Sequence, residues 1–201
     1  MNKLELAVID VETSGISAVY DRIIEVAVLR ISKGELTEQS STLVNPERAI
    51  PRYIERLTGI TNEDLRGAPV FREIKDDLLR LLEGSILVAH NARFDYGFIR
   101  KEFERERIAF SAKCLCTVRL SRRLFPGYRR HNLDSIIRRF DLDCANRHRA
   151  IGDARVLWEF LRILRTGTDA GKLNEAVAML LGTPAPPAPR VRLSPILLEV
   201  D

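Results

Sequence analysis

Cysteine is scarce in this chain: Cys114, Cys116 and Cys144 are the only three among 201 residues. An odd thiol count with no secretory signal argues against a disulfide framework and for reduced thiols in the cytoplasm. The first apolar run, Leu4–Ile9, is too short for a signal and contains Glu5. No apolar stretch approaches the roughly 20 residues that a membrane helix needs, so no membrane partner is expected. Cys-x-Cys with one distant Cys is poor zinc-site spacing, and these thiols read as small buried side chains. No internal repeat is visible.

What is present is ordinary in amount and uneven in placement. A hydrophobic content of 45% allows one domain with a sizeable core, plus a tail. Formal net charge is +4. From Lys113 to Arg149, ten Lys and Arg face only Asp134, Asp141 and Asp143, so this stretch carries +7 and the remainder −3. A basic lobe suits a polyanion held by its backbone. A solvated, Arg-rich helical surface would look the same by composition.

Strands are expected at Leu4–Ile9, Ile23–Ile31, Leu36–Val44, Ile86–Ala89 and Lys113–Cys116. The second and third are joined across Ser32-Lys33-Gly34-Glu35 as a hairpin. Helices are expected at Asn62–Leu65 with Thr61 as cap, and over Val70–Leu82, Arg93–Glu106 and Thr117–Leu124. Three more are expected from Asn132 to Phe140, over Arg149–Leu164 and over Lys172–Leu181. Asn91 is read as the cap of the helix that begins at Arg93. The pattern gives an α/β domain with a mixed sheet of about five strands, opening on an antiparallel hairpin and flanked by helices. Residues 1–167 read as the domain and 168–182 as a C-terminal helix packing on or trailing it. Residues 183–201 read as a proline-rich linker or tail, with Pro184, Pro186, Pro187 and Pro189 close together. The apolar Ile196-Leu197-Leu198 fits the start of another module or a contact with a partner.

Three separated stretches place acids against apolar pattern. Asp10 and Glu12 sit two apart at the end of the first strand, where alternate side chains share a face. Thr13, Ser14 and Gly15 then turn the chain. Asp95 shares a helical stripe with Phe98, Ile99, Glu102 and Phe103, and Asp153 one with Val156, Leu157, Phe160, Leu161 and Leu164. An acid heading an inward stripe is costly unless compensated. His148 lies on the loop before Asp153, where an imidazole can take a proton from an activated water. His90 reads as structural. If the four acids meet, each like-charged pair about 4 Å apart costs roughly 4 kcal/mol at an effective dielectric near 20. A fold stable by about 5–15 kcal/mol cannot carry several such pairs. Divalent cations remove the problem, and carboxylate oxygens favour Mg²⁺ or Mn²⁺ over zinc.

Asp10-x-Glu12-Thr13, His90-Asn91-x-x-Phe94-Asp95 and His148-x-x-x-x-Asp153 resemble the three exonuclease motifs of the DEDD superfamily, histidine-bearing branch. The nearest likeness is to epsilon-type proofreading exonucleases of bacterial DNA polymerase III, over about Leu4 to Leu164. The resemblance implies a ribonuclease-H-like fold and 3′→5′ exonuclease activity using two divalent cations, Mg²⁺ or Mn²⁺. It implies Asp10, Glu12, Asp95 and Asp153 as metal-binding acids and His148 as general base. Thr13, Gly59 and Ile60 fall where the family cradles the terminal nucleotide. The implied partners are single-stranded 3′ ends of DNA, or RNA, and a DNA polymerase subunit or further fused domain. The rival readings are an RNA exonuclease of the same superfamily, a catalytically idle nucleic-acid-binding module, and an aspartate-nucleophile phosphatase. The last usually wants Asp where this chain has Glu12, and it explains neither Asp95 nor His148.

Overall fold

A computed structural model describes residues 4–144 and 146–182. In chain order its elements are β1 (Leu6–Thr13), β2 (Ile23–Ser32), β3 (Glu35–Leu43), α1 (Arg52–Thr58), α2 (Asn62–Arg66), α3 (Phe71–Leu82) and β4 (Ile86–Ala89). They continue as α4 (Arg93–Arg105), β5 (Cys114–Cys116), α5 (Thr117–Leu124), α6 (Leu133–Phe140), α7 (Ala150–Gly167) and α8 (Ala170–Leu181). The expected linker or tail at 183–201 lies outside the described residues.

The five strands form one sheet in the order β3-β2-β1-β4-β5. β1 pairs antiparallel with β2 and parallel with β4, so the sheet is mixed. A strand with partners on both edges and helices on both faces must be apolar throughout. Leu6, Ala7, Val8 and Ile9 are accordingly all buried. Their alternation divides the core. Ala7, Ile9 and Val11 pack with Phe71, Leu78 and Leu82 of α3 and with Phe98, Ile99 and Phe103 of α4. Leu6 and Val8 pack with Val156, Leu157, Phe160 and Leu161 of α7 and with Leu173 and Val177 of α8. A third cluster, Ile24, Ile50, Ile54, Ile60 and Leu65, closes the β2 and α1–α2 region.

Local side chains cap some of the helices. Thr61 and Asp64 form a reciprocal capping box on α2, and Asn132 Oδ1 accepts from the Ser135 N–H to cap α6 at 3.2 Å. Two expectations need correction. The first strand does not stop at Ile9: it runs to Thr13, because backbone pairing with β2 continues through Asp10↔Ala27 and Glu12↔Glu25 whatever the side chains are. Asn91 does not cap α4. It sits at φ +69°, in the left-handed region that Asn tolerates, and the cap position is Ala92 with no side-chain bond.

Candidate active site

Asp10 and Glu12 continue the row of β1 that begins with Leu6 and Val8 and faces α7. β1 is paired here with β2, through Asp10↔Ala27 and Glu12↔Glu25, so the two carboxylates sit on strand backbone rather than on a loop. Opposite Glu12 in register stands Glu25 of β2, buried to 2% exposure and bound by Arg149 at 2.8 Å.

Asp95 lies in the first turn of α4 at 3% exposure. The backbone N–H groups of Asp95 itself and of Val11, the residue between Asp10 and Glu12, lower its carboxyl pKa against burial. Two turns on, buried Glu102 accepts from Arg22 Nε at 2.8 Å and from the Ile23 N–H at 3.2 Å, and pairs with Arg105 at 3.1 Å. Glu102 thus locks α4 onto the start of β2 and fixes the approach of Asp95 to β1.

Asp153 arrives from α7, at 5% exposure. The loop before it folds back tightly. A Cβ on Gly152 would stand 2.3 Å from the Asn146 carbonyl oxygen, so only glycine fits there. His148 in that loop has φ +60°, strained for a residue with a side chain. Ligand atoms of Glu12, His148 and Asp153 lie within 4.8 Å of one another, the one such group of three His, Cys, Asp or Glu residues among the described residues. Asp10 and Asp95 stand outside that tight group yet couple to it by charge. Burial, then repulsion from Asp95, Asp153 and Glu12, raises the Asp10 carboxyl well above the usual carboxylate range. Burial and then Asp153 and Glu25 push Glu12 up to about 7. Burial pushes Asp95 up to about 8 against its two backbone donors. Burial also raises Asp153, opposed by Arg147. Of the four acids expected from the sequence, Glu12 and Asp153 thus meet beside His148, and Asp10 and Asp95 lie near enough to act on them by charge.

Thr13 is buried and donates its hydroxyl to the Gly15 carbonyl at 2.6 Å. Gly59 ends α1 at φ +73° with open space where a Cβ would be. Ile60 turns its side chain into the third core cluster at 2% exposure. His90 accepts or donates at 2.9 Å with Thr117 Oγ1, and burial lowers its pKa to about 4, so it stays neutral. The Cys114 thiol, pushed up to about 12 by burial, is inert.

Three residues with direct parts in this geometry escaped the sequence reading. Arg147 donates to Asp153 and, at 2.9 Å, to Asp134. Glu25 and Arg149 form the pair opposite Glu12. Glu25 did carry a signal, as an acid within the apolar run Ile23–Ile31.

The donor set fits divalent cations. The carboxylates offer hard oxygen ligands and His148 an imidazole nitrogen, and burial with mutual repulsion raises the carboxyls of Asp10, Glu12 and Asp95, as expected of acids without a compensating cation. This has a measurable consequence. The folded protein holds protons on Glu12 and Asp95 up to pH 7–8, whereas the unfolded chain releases them near pH 4. The native state binds more protons in that window, so metal-free stability falls as pH rises through it. The Tm in chelator should therefore fall by roughly 10 °C or more between pH 5 and pH 8.5. Thermal melts with chelator should show this slope, and saturating Mg²⁺ should flatten it. A metal-free Tm that rises over this range would contradict the clustering.

An acid cluster at the end of a central strand, on a mixed sheet between helical layers, is suited to bind divalent cations. The pattern of the RNase T family, described as exonuclease, matches residues 7–161. The chain belongs to that family. It is 39% identical over 158 residues to the 3′-5′ exonuclease DinG of Bacillus subtilis, covering 78% of this chain and 17% of that protein. It is 36% identical over 176 residues to the PolC-type DNA polymerase III of the same organism, covering 84% of this chain and 12% of that one. The chain thus spans less than a fifth of the length of these curated relatives. Among solved structures it is similar to exonuclease X in complex with 5′ overhanging duplex DNA, with TM-score 0.67, 26% identity, and coverage of 88% of this chain and 99% of that one. The nuclease domain of 3′hExo, a DEDDh family member bound to rAMP, shares the fold at TM-score 0.67 and 21% identity, over 81% of this chain and 92% of that one. The expected fold and family stand, and this family uses divalent metal ions.

Proposed function

We propose that this chain removes nucleotides one at a time from the 3′ end of DNA, releasing nucleoside 5′-monophosphates. The observation that carries the proposal is the meeting of Glu12, His148 and Asp153 within 4.8 Å, with Asp10 and Asp95 coupled to them. Asp10, Glu12 and Asp153 would hold the cations, with Asp95 supporting from α4. A pair of Mg²⁺ or Mn²⁺ ions, when bound, supplies an acidified water and positive charge at the departing 3′ oxygen. His148 accepts the proton of the attacking water. It reaches the site from a loop that is pinned at Gly152 and so keeps its distance to Asp153. Thr13 and the Gly59-Ile60 turn would border the terminal nucleotide: buried Ile60 stiffens the turn, and Gly59 leaves space for a close approach.

The basic lobe supports a nucleic-acid substrate. A cavity of about 440 Å³ begins at His90 and Asn91 and is lined by Arg93, Arg119 and Arg122. A second concavity carries Arg129, Arg130, Arg138 and Arg139, with Arg139 stacked 3.6 Å from the Tyr128 ring centroid. These arginines would hold the phosphates of the strand leading to the site. DNA is favoured because the 26% identical neighbour is bound to duplex DNA and the PolC-type relative is a DNA polymerase. On the same ground the chain would serve replication proofreading or repair in the cytoplasm, beside a polymerase subunit or fused domain. No helix among the described residues is long and apolar enough to cross a membrane.

The test is digestion of labelled DNA and RNA oligonucleotides with Mg²⁺, Mn²⁺ or chelator, with either end blocked. Mononucleotide release from DNA that needs metal and a free 3′ end is the expected result. Preferential loss of RNA would transfer the proposal to RNA, and release from 5′ ends would overturn it.

A further inference from the structure

Glu25 is a carboxylate in the interior of the sheet, flanked in β2 by buried Ile24 and Val26. It accepts from Arg149 Nη2 at 2.8 Å, from Arg149 Nε at 3.1 and 3.2 Å, and from the Ala150 backbone N–H at 2.9 Å. Ala150 is the first residue of α7, whose cap residue Arg149 makes no side-chain cap bond. A strand residue 125 positions away in sequence therefore takes the place of a local cap, satisfying a free helix N–H with a negative charge. The next bond of the same turn runs from the Asp153 N–H to the Arg149 carbonyl at 3.1 Å. The preceding residue is His148, held in the left-handed region at φ +60°.

Fold stability gives a poor account of this arrangement. Glu25 stands in register with Glu12 and repels it, adding a like charge to a site already overloaded with acids. A buried ion pair is weak evidence for stability, since desolvation offsets its attraction. What the pair does supply is a fixed relation between β2 and the start of the His148–Asp153 segment. A non-glycine residue in a strained conformation persists where its surroundings over-determine it. The bidentate guanidinium of Arg149 and the bonded N–H of Ala150 do so immediately after His148.

We infer that Glu25 and Arg149 are positioning residues that hold His148 in its reacting orientation over the acid cluster. The inference rests on the reading of His148 as general base. It adds a requirement that reading does not contain: a carboxylate and a guanidinium that touch neither substrate nor cation are needed for the proton transfer.

The experiment measures steady-state nucleotide release from a 3′-labelled DNA strand, in the full chain, for Glu25→Gln, Arg149→Leu and Arg149→Lys. Displacing a catalytic group by about 1 Å costs up to about 10²-fold. Glu25→Gln and Arg149→Leu should each lower kcat about 10–100-fold, with KM and Mn²⁺ affinity unchanged. Arg149→Lys, which keeps the charge but not the fork, should recover part of the loss. Added to His148→Ala, Glu25→Gln should lower the residual rate less than about twofold, because the group it positions is gone. A loss of the same size in the His148→Ala background overturns the inference, as does an effect on KM alone. If the native chain releases no nucleotide, the exonuclease reading fails instead. Amide hydrogen exchange then decides the positioning claim: Ala150 and Asp153 must lose protection in Arg149→Leu, and unchanged protection overturns it. Arg149→Leu also serves if Glu25→Gln does not fold, since the Arg149 side chain is 42% exposed and Glu25 is buried.

Discussion

Asp10→Asn should reduce nucleotide release from a 3′ end by a factor on the order of 10⁴ or more, as for other groups that act as one catalytic unit. The substitution keeps the volume and removes a charge. Asp10 feels the repulsion of Asp95, Asp153 and Glu12 together, so a cation bound among them loses a negatively charged partner. The same change should not weaken the metal-free protein. Removing one of four crowded charges relieves repulsion that burial makes severe, so the Tm in chelator at pH 8 should hold or rise. Loss of activity together with unchanged or higher stability is the signature of a site that is costly to fold. Parallel loss of both would mean that Asp10 is structural.

His148→Ala should lower the rate about 10²–10⁴-fold while metal binding stays largely intact, the range expected for a removed general base. The imidazole lies within 4.8 Å of ligand atoms of both Glu12 and Asp153, so it can reach a water held by either. Its neighbours do not replace it. His90 is 2.9 Å from Thr117 Oγ1 and kept neutral by burial, and His131 is engaged by Ser121 at 2.8 Å and by the Tyr128 carbonyl at 2.9 Å. Steady-state rates with Mn²⁺ titrations separate the two effects. Full activity in His148→Ala at neutral pH would falsify its role as base.

Much of this site was legible in the sequence because it obeys local periodicity. The two-residue spacing of Asp10 and Glu12 reads directly as one face of a strand, and that strand proved longer than its apolar run. The stripes through Asp95 and Asp153 read as inward helix faces, and both acids are buried with the residues expected beside them. What escaped depends on contacts between distant segments. The parallel pairing of β1 with β4, which sets Asp95 beside Val11, has no local signature. Glu25 was hidden inside an apolar strand, since its meaning lies in Arg149, far along the chain. Arg147 reads as one more charge in a basic run, and only the folded-back loop at Gly152 brings it onto Asp153. Asn91 was misread because a left-handed Asn and a helix cap occupy the same place in sequence before a helix.

The central claim is that carboxylates from three separate elements form a single seat for divalent cations. The most direct measurement is anomalous diffraction from crystals soaked in Mn²⁺. Two strong peaks bounded by the Asp10, Glu12, Asp95 and Asp153 carboxylates are predicted, and both should vanish in Asp10→Asn. A soaked crystal with no manganese between these side chains, or with it bound elsewhere on the surface, would contradict the account.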